Sequence, residues 1–515
     1  MPTLNSAFIN ALLADSAYVE GLTPSTNLKR ALSTRMTPAL AEYIANKFSI
    51  VTQAPITLSS FDATVWRANS ANGTADPSGK IYLSFRGTQQ AIDFLADADL
   101  ALTGNARGQV TDMVNWWLRI STPLGQMAGQ ISTFGPIYQP SRSVPGEGLI
   151  SAADLAAGIE VNGHSLGGYL ATGFTRLFGT QANVVHTNTF NSAGFAIGSE
   201  AALLLLQYLV GSEYGLGRFP SREEQTNYFA KNGLNVTANS FWFSQQGRRT
   251  ELFNELAVTQ VGNHSMYKLT DSLALGNALS TLDSGLTAEK LNLLLEAGSN
   301  EAKASIEGTF DSLRRLLQGK IQSPTPVGDV SDSEDSRKTY QSMLAALQEN
   351  PAFKNLVGKV TINVPDLNLS HKAKDRISYD EMAALETLAT VVFAPGGNEG
   401  RAALKSLWQS DPWIERYQGW LSDKQSLQVG ELPHYYSDKW IDDRSILLGA
   451  IVAHNSKDGS GTAYSAGLPS DRAYELRWTD EAGEEKILFA ENAGRRGGVL
   501  TRLRNVSMTL LHLAS

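Results

Sequence analysis

Ser165 stands in the run Gly163-His164-Ser165-Leu166-Gly167, which reads Gly-x-Ser-x-Gly. A serine hydroxyl becomes a nucleophile when a neighbouring base takes its proton. The spacing has a mechanical sense. Glycines on either side let a strand and a helix crowd around a sharply turned serine, which then stands above a sheet at a helix N-terminus. The base must come from seven histidines, at 164, 186, 264, 371, 434, 454 and 512. On such a sheet the nucleophile, the acid and the histidine follow in that order along the chain. His164 adjoins the serine and is expected to point away along the elbow, and His186 falls in a predicted strand. His264, in a loop before an amphipathic helix, is the expected base.

The third member is less direct, because no aspartate lies between Ser165 and His264. Glutamate can orient the imidazole and stabilise its protonated form equally well. Glu255 is the first candidate and Glu251 the second, both close to His264 and past the strand-like run 226–236. Asn232 or Asn239 could stand where the acid usually does, orienting the ring without offsetting its charge. An oxyanion hole needs two backbone N–H donors. Leu166, directly after the nucleophile, supplies one, and the run 82–90, with Arg86-Gly87-Thr88, fits the other.

The elements that must position these groups follow from periodicity. Runs at 79–85, 158–163 and 183–190 read as strands, and 109–120 and 165–178 as helices between them. That alternation predicts an α/β protein with a mostly parallel sheet. Past residue 280 the chain reads as mostly helical, with helices at 339–348, 378–393 and 400–422 and a polar linker at 322–338. A terminal hairpin is expected with Ala482-Gly483 at its turn. With 515 residues, two domains are expected, a catalytic one at 1–285 and an accessory region at 286–515.

Composition narrows the partners. Apolar residues are 42% and charged residues 18%, with a net charge of −8 and no basic block, which argues against nucleic acid. The absence of cysteine excludes disulfides, thiolate metal sites and a thiol nucleophile. The N-terminal stretch lacks a basic region and is not expected to act as a secretory signal, and no apolar run has the length of a membrane span. An apolar trough for an acyl chain, under a lid, could come from 109–127, with Trp116, Trp117 and Leu118, or from 200–219. Both also read as core helices. Asp93, Asp97 and Asp99 could hold a cation such as calcium, and read more simply as helix-capping charges.

The combination of "FRGT" at 85–88, "GHSLGG" at 163–168 and "NHSMYKLTDSLAL" at 263–275 resembles the class 3 lipases of the α/β-hydrolase fold, over about residues 60–275. Within that group it looks closest to bacterial lipases exported without a cleaved signal peptide. The resemblance implies Ser165 as nucleophile, His264 as base, and Thr88 with Leu166 at the oxyanion hole. It departs from that group in lacking the aspartate and the C-terminal calcium β-roll repeats. The expected activity is hydrolysis of carboxylic esters, a lipase acting at a membrane or lipid-droplet interface without a redox or nucleotide cofactor. Phospholipase A1, short-chain esterase, a membrane-degrading effector and a non-catalytic binding protein are the alternatives. The expected location is outside the cell without a cleaved leader, or the cytoplasm.

Overall fold

The computed structural model describes residues 2–55, 57–69, 79–87, 105–134, 137–196, 203–204, 206, 208–209, 218–233, 243–256, 260–299, 304–319, 325, 333–366, 376–455, 474–479 and 485–491. Contacts divide the chain into two units, Met1–Asn277 with Ser331–Ser342, and Ala278–Val330 with Met343–Ser515. The expected break near 285 thus compares with a break after Asn277, and a short later stretch belongs with the first unit.

The first unit opens with α1 (Leu4–Ser16), α2 (Leu28–Leu32) and α3 (Pro38–Lys47). Strands β1 (Phe48–Gln53), β2 (Ala63–Ala68) and β3 (Ile81–Phe85) follow, then α4 (Asn105–Ser121) and the hairpin β4 (Met127–Phe134) and β5 (Ile137–Pro145). After α5 (Ala152–Ala157) come β6 (Ile159–His164), α6 (Leu166–Phe178), β7 (Val184–Phe190), β8 (Phe195–Ala196), β9 (Gln225–Ala230), β10 (Phe243–Ser244) and β11 (Arg248–Leu252). The short α7 (Gln260–His264) leads into α8 (Met266–Leu282). Seven strands form one sheet in the order β1-β2-β3-β6-β7-β9-β11. From β3 to β11 every neighbouring pair is parallel, and β2 runs antiparallel to β1 and β3. This is the expected α/β-hydrolase fold, with β6, the strand that leads into Ser165, central and followed at once by a helix.

Each face of the sheet has its own chemistry, because alternate residues of a strand point to opposite sides. Ile159 and Val161 of β6 join Leu83 and Phe85 of β3 in an apolar core with α4 and α6. Trp117 of α4 meets Phe174 of α6 edge to face at 4.8 Å, a geometry that adds about 0.5–1.5 kcal/mol to burial. Trp116, Trp117 and Leu118 are all buried in this core, so the α4 part of 109–127 is a packed helix and not a movable lid. The other stretch, 200–219, lies largely outside the described residues, though Leu203 and Leu206 are buried in the same core. The opposite face of β6 presents Glu160 and Asn162 to α1. Asn10 donates to Glu160 Oε2 at 2.6 Å and accepts from Asn162 at 3.0 Å. Lys80 closes this buried polar seam on Glu160 Oε1 at 2.8 Å.

The second unit is described by α9 (Ala288–Ala297), α10 (Glu307–Gln318), the last turns, from Met343, of α11 (Glu334–Glu349), α12 (Pro351–Leu356), α13 (Tyr379–Thr387), α14 (Gly397–Trp408), α15 (Ile414–Gln428) and α16 (Asp438–Asn455). Two antiparallel pairs accompany them, β12 (Val360–Asn363) with β13 (Val392–Pro395) and β14 (Tyr474–Thr479) with β15 (Glu485–Glu491). The expected terminal hairpin is therefore present as a strand pair, while Ala482 and Gly483 lie outside the described residues. Three expectations change. The helix expected over 400–422 is broken, with α14 ending at Trp408 and α15 starting at Ile414. The polar run ending at residue 338 is helical from Glu334, whose charge suits a helix N-terminus and pairs with Lys338 at 2.6 Å. The expected helix over 378–393 stops at Thr387, because Leu388 adopts φ +49° and turns the chain toward β13.

Candidate active site

Strand β6 ends at His164 and α6 begins at Leu166, so Ser165 alone makes the corner. Its φ is +57° and its ψ −124°, a conformation that costs a side-chain-bearing residue about 1–3 kcal/mol. The surroundings hold it there. Ser165 N–H donates to the Phe190 carbonyl at 3.0 Å, and its own carbonyl accepts from Gly168 at 3.0 Å and Ala193 at 3.2 Å. The flanking glycines are steric requirements. A Cβ on Gly163 would lie 2.2 Å from the Gly167 oxygen, and one on Gly167 would lie 2.2 Å from the Phe85 oxygen. The elbow is thus wedged between β3, β7 and its own helix.

His264 ends α7 and is buried. Burial pulls its pKa down from 6.5 to about 4, so the ring is neutral at pH 7 and able to accept a proton. Neither ring nitrogen has a hydrogen-bond partner among the described residues. Its main chain is fixed instead. The His264 carbonyl accepts from His164 Nε2 at 2.8 Å and from Asn191 Nδ2 at 3.0 Å. These donors sit at the C-terminal ends of β6 and β7, so His264 is tied to the strand ends that carry the elbow.

His164 does more than turn away from the serine. A carbonyl can only accept, so Nε2 carries the proton and Nδ1 accepts, from Tyr18 Oη at 2.7 Å. The His164 and His264 rings lie 4.8 Å apart. Burial and the neighbouring His264 hold the His164 pKa well below 6.5. Sequence reasoning missed the partners Tyr18 and Asn191. Tyr18 is separated from His164 by 146 residues, and no local pattern announces it.

Glu255 is buried beyond the end of β11, with its carboxylate 4.0 Å from Lys268 Nζ. It makes no hydrogen bond to the His264 ring, whose nitrogens have none. Glu251 is exposed on β11. Asn232 pairs reciprocally with Asn254, its N–H and Nδ2 each donating at 2.8 Å, and Asn239 lies outside the described residues. His186 sits in β7 with its Nε2 3.0 Å from Thr226 Oγ1.

On the oxyanion side, Leu166 opens α6, so its N–H has no intrahelical acceptor. Thr88 lies outside the described residues, but the chain leading to it is fixed. A Cβ on Gly87 would be 3.1 Å from Ser165 Cβ, which brings the end of β3 against Ser165. Arg86 anchors this end through Asp62 at 3.0 Å and Glu20 at 2.8 Å. Burial raises the Asp62 pKa to about 6. No group of three or more metal-ligating side chains occurs among the described residues, and Asp93, Asp97 and Asp99 lie outside them.

Several fungal lipases overlap part of the chain in structure. Lipase II from Rhizopus niveus is 16% identical, with 48% of this chain and 80% of that one covered at a TM-score of 0.29. The Lip2 lipase from Yarrowia lipolytica is 17% identical, with 48% and 77% covered at 0.27. The Rhizomucor miehei lipase propeptide complex is 15% identical, with 49% and 67% covered at 0.25. No protein-family model and no curated protein matches the chain. The fold is carried by the strand order and the elbow rather than by these low overlaps.

Proposed function

We propose that the chain is a serine carboxylic-ester hydrolase of lipase type. The observation that carries this reading is the strained corner at Ser165, with the buried His264 bonded through its carbonyl to His164, the residue next to the serine. Strain of this kind persists where the surroundings over-determine it, and it collects at reactive centres. In the proposed reaction His264 takes the Ser165 proton and Ser165 attacks the ester carbonyl. The N–H groups of Leu166 and Thr88 stabilise the oxyanion. His264 then returns its proton to the leaving alkoxide, and water releases the acid by the reverse sequence. The balance needs only water.

Glu255 is proposed as the third member on its burial and its place after β11, although its carboxylate now faces Lys268. A loss of about 10⁴ in kcat for Glu255→Gln would put it in the triad. A loss below tenfold would leave a serine–histidine pair. The substrate class is an acyl ester at a lipid–water interface, and phospholipase A1 or short-chain esterase activity would use the same groups.

The test is hydrolysis of p-nitrophenyl esters from acetate to palmitate by wild type and Ser165→Ala. Turnover that rises with chain length and disappears in the variant supports a lipase. A maximum at acetate makes the protein an esterase. Equal rates in both proteins, or none in either with phospholipids included, would overturn the hydrolase reading.

A further inference from the structure

We propose that Tyr18 and His164 form a tautomer lock that positions the base, an inference that rests on the hydrolase reading of Ser165 and His264. The lock begins at the oxygen of Tyr18, just beyond α1. Tyr18 Oη donates to His164 Nδ1 at 2.7 Å and accepts from the Gly87 N–H. With Nδ1 occupied as an acceptor, His164 must carry its proton on Nε2. That proton points at the His264 carbonyl, 2.8 Å away. In the other tautomer two acceptors, Nε2 and the carbonyl oxygen, would face each other.

Position makes this contact matter. The His264 ring has no hydrogen-bond partner among the described residues, so the ring is held by packing and by its own backbone. Its carbonyl has two donors, His164 and Asn191. One of the two is therefore set by a phenol on the N-terminal segment. The same oxygen touches the strand end that leads to Thr88. A Cβ on Gly87 would lie 2.7 Å from Tyr18 Oη and 3.1 Å from Ser165 Cβ. Tyr18 thus ties together the base, the residue beside the nucleophile and the start of the oxyanion loop. Desolvation of its hydroxyl keeps it a phenol, against the opposing pull of the Arg35 and Arg86 guanidiniums, 4.6 and 5.7 Å from its ring centre. Tyr18 and His164 touch no reacting atom, so both are positioning residues.

Two measurements on the full chain test the lock. The first is the nitrogen NMR spectrum of ¹⁵N-histidine-labelled protein, wild type and Tyr18→Phe, with His164 assigned by His164→Gln. A single Nε2–H form of His164 in wild type that becomes a mixture in Tyr18→Phe supports the proposal. A mixture in wild type, or an unchanged Nε2–H form in folded Tyr18→Phe, overturns it, and the first of these outcomes requires no variant of Tyr18 to fold. The second is the rate of labelling of Ser165 by an alkyl fluorophosphonate. Tyr18→Phe is expected to lower the limiting rate about 10–100-fold while leaving the half-saturating concentration nearly unchanged. Equal limiting rates overturn the positioning role even where the tautomer changes. If wild type and Ser165→Ala are both unlabelled, the hydrolase reading itself fails. The spectrum then still reports whether the lock exists as a structure.

Discussion

His264 has a pKa near 4 because water is excluded from its ring, and this has two measurable consequences. With His264 as the proposed base, a ring that stays neutral down to such a pH places the acid limb of kcat/KM well below 6.5. A pH profile with its acid limb at 6.5 or above would contradict this. Stability should move as well. In the unfolded chain histidine titrates near 6.5, so between about pH 6.5 and 4 the unfolded state binds more protons than the folded one. The contribution is complete above that window and lost as pH falls through it, on the order of 3 kcal/mol in total. His164 is depressed in the same direction, while Asp62, raised to about 6 by burial, works in the opposite one. Comparing chemical denaturation of wild type and His264→Gln from pH 4 to 7 isolates the His264 share. Glu255 makes a separate prediction. Glu255 and Lys268 are both buried, 4.0 Å apart, so Glu255→Gln, which removes one charge of a buried pair, should lower the melting temperature. Thermal unfolding measures this independently of turnover.

At the scale of elements, the elbow depends on absent side chains. Gly167→Ala places a Cβ 2.2 Å from the Phe85 oxygen, so α6 must move off β3. Neither backbone can yield cheaply, and a destabilisation of about 3 kcal/mol is expected, together with slower fluorophosphonate labelling. A variant with wild-type melting temperature and labelling would contradict the packing described. These same glycines made the strand–turn–helix legible in the sequence, along with β3, β7 and α4, because each has a clean period of two or between three and four. Other elements gave no such signal. Helix α1 is buried on nearly every side, so it lacks the one-sided apolar stripe that marks a surface helix. The hairpin β4–β5 contains Pro140, Pro145 and several polar residues, which blur strand alternation. At the site, the sharp corner at Ser165 could be read from local pattern, whereas the loop expected around His264 is the short helix α7. The groups that fix His264 could not be read in this way. Tyr18, His164 and Asn191 meet it only through the assembled sheet, and the surroundings of Glu255 are set by Lys268 on a different element.

For the whole molecule, the informative feature is that the first unit is discontinuous. Asp271 of α8 is fully buried and accepts from Arg337 Nε at 2.7 Å and Gln341 Nε2 at 2.7 Å, with Tyr340 donating to its carbonyl at 3.2 Å. All three partners lie in the stretch 331–342 that belongs to this unit. Arg337→Met leaves that carboxylate without its cation, and a loss of about 3–5 kcal/mol is expected, seen as a fall in the melting temperature. A protein cut after residue 285 loses the whole clasp, so it should unfold at a lower temperature than the full chain. Equal melting of the two would mean that the clasp contributes nothing. The arrangement also bears on biosynthesis. When residue 277 has been made, every strand of the large sheet exists, yet Asp271 must wait for a partner 66 residues further on. At translation rates of about 5–20 residues per second the delay is several seconds. Through that interval the nascent first unit carries an unpartnered anion in its interior, and its completion is timed by the ribosome rather than by its own folding rate.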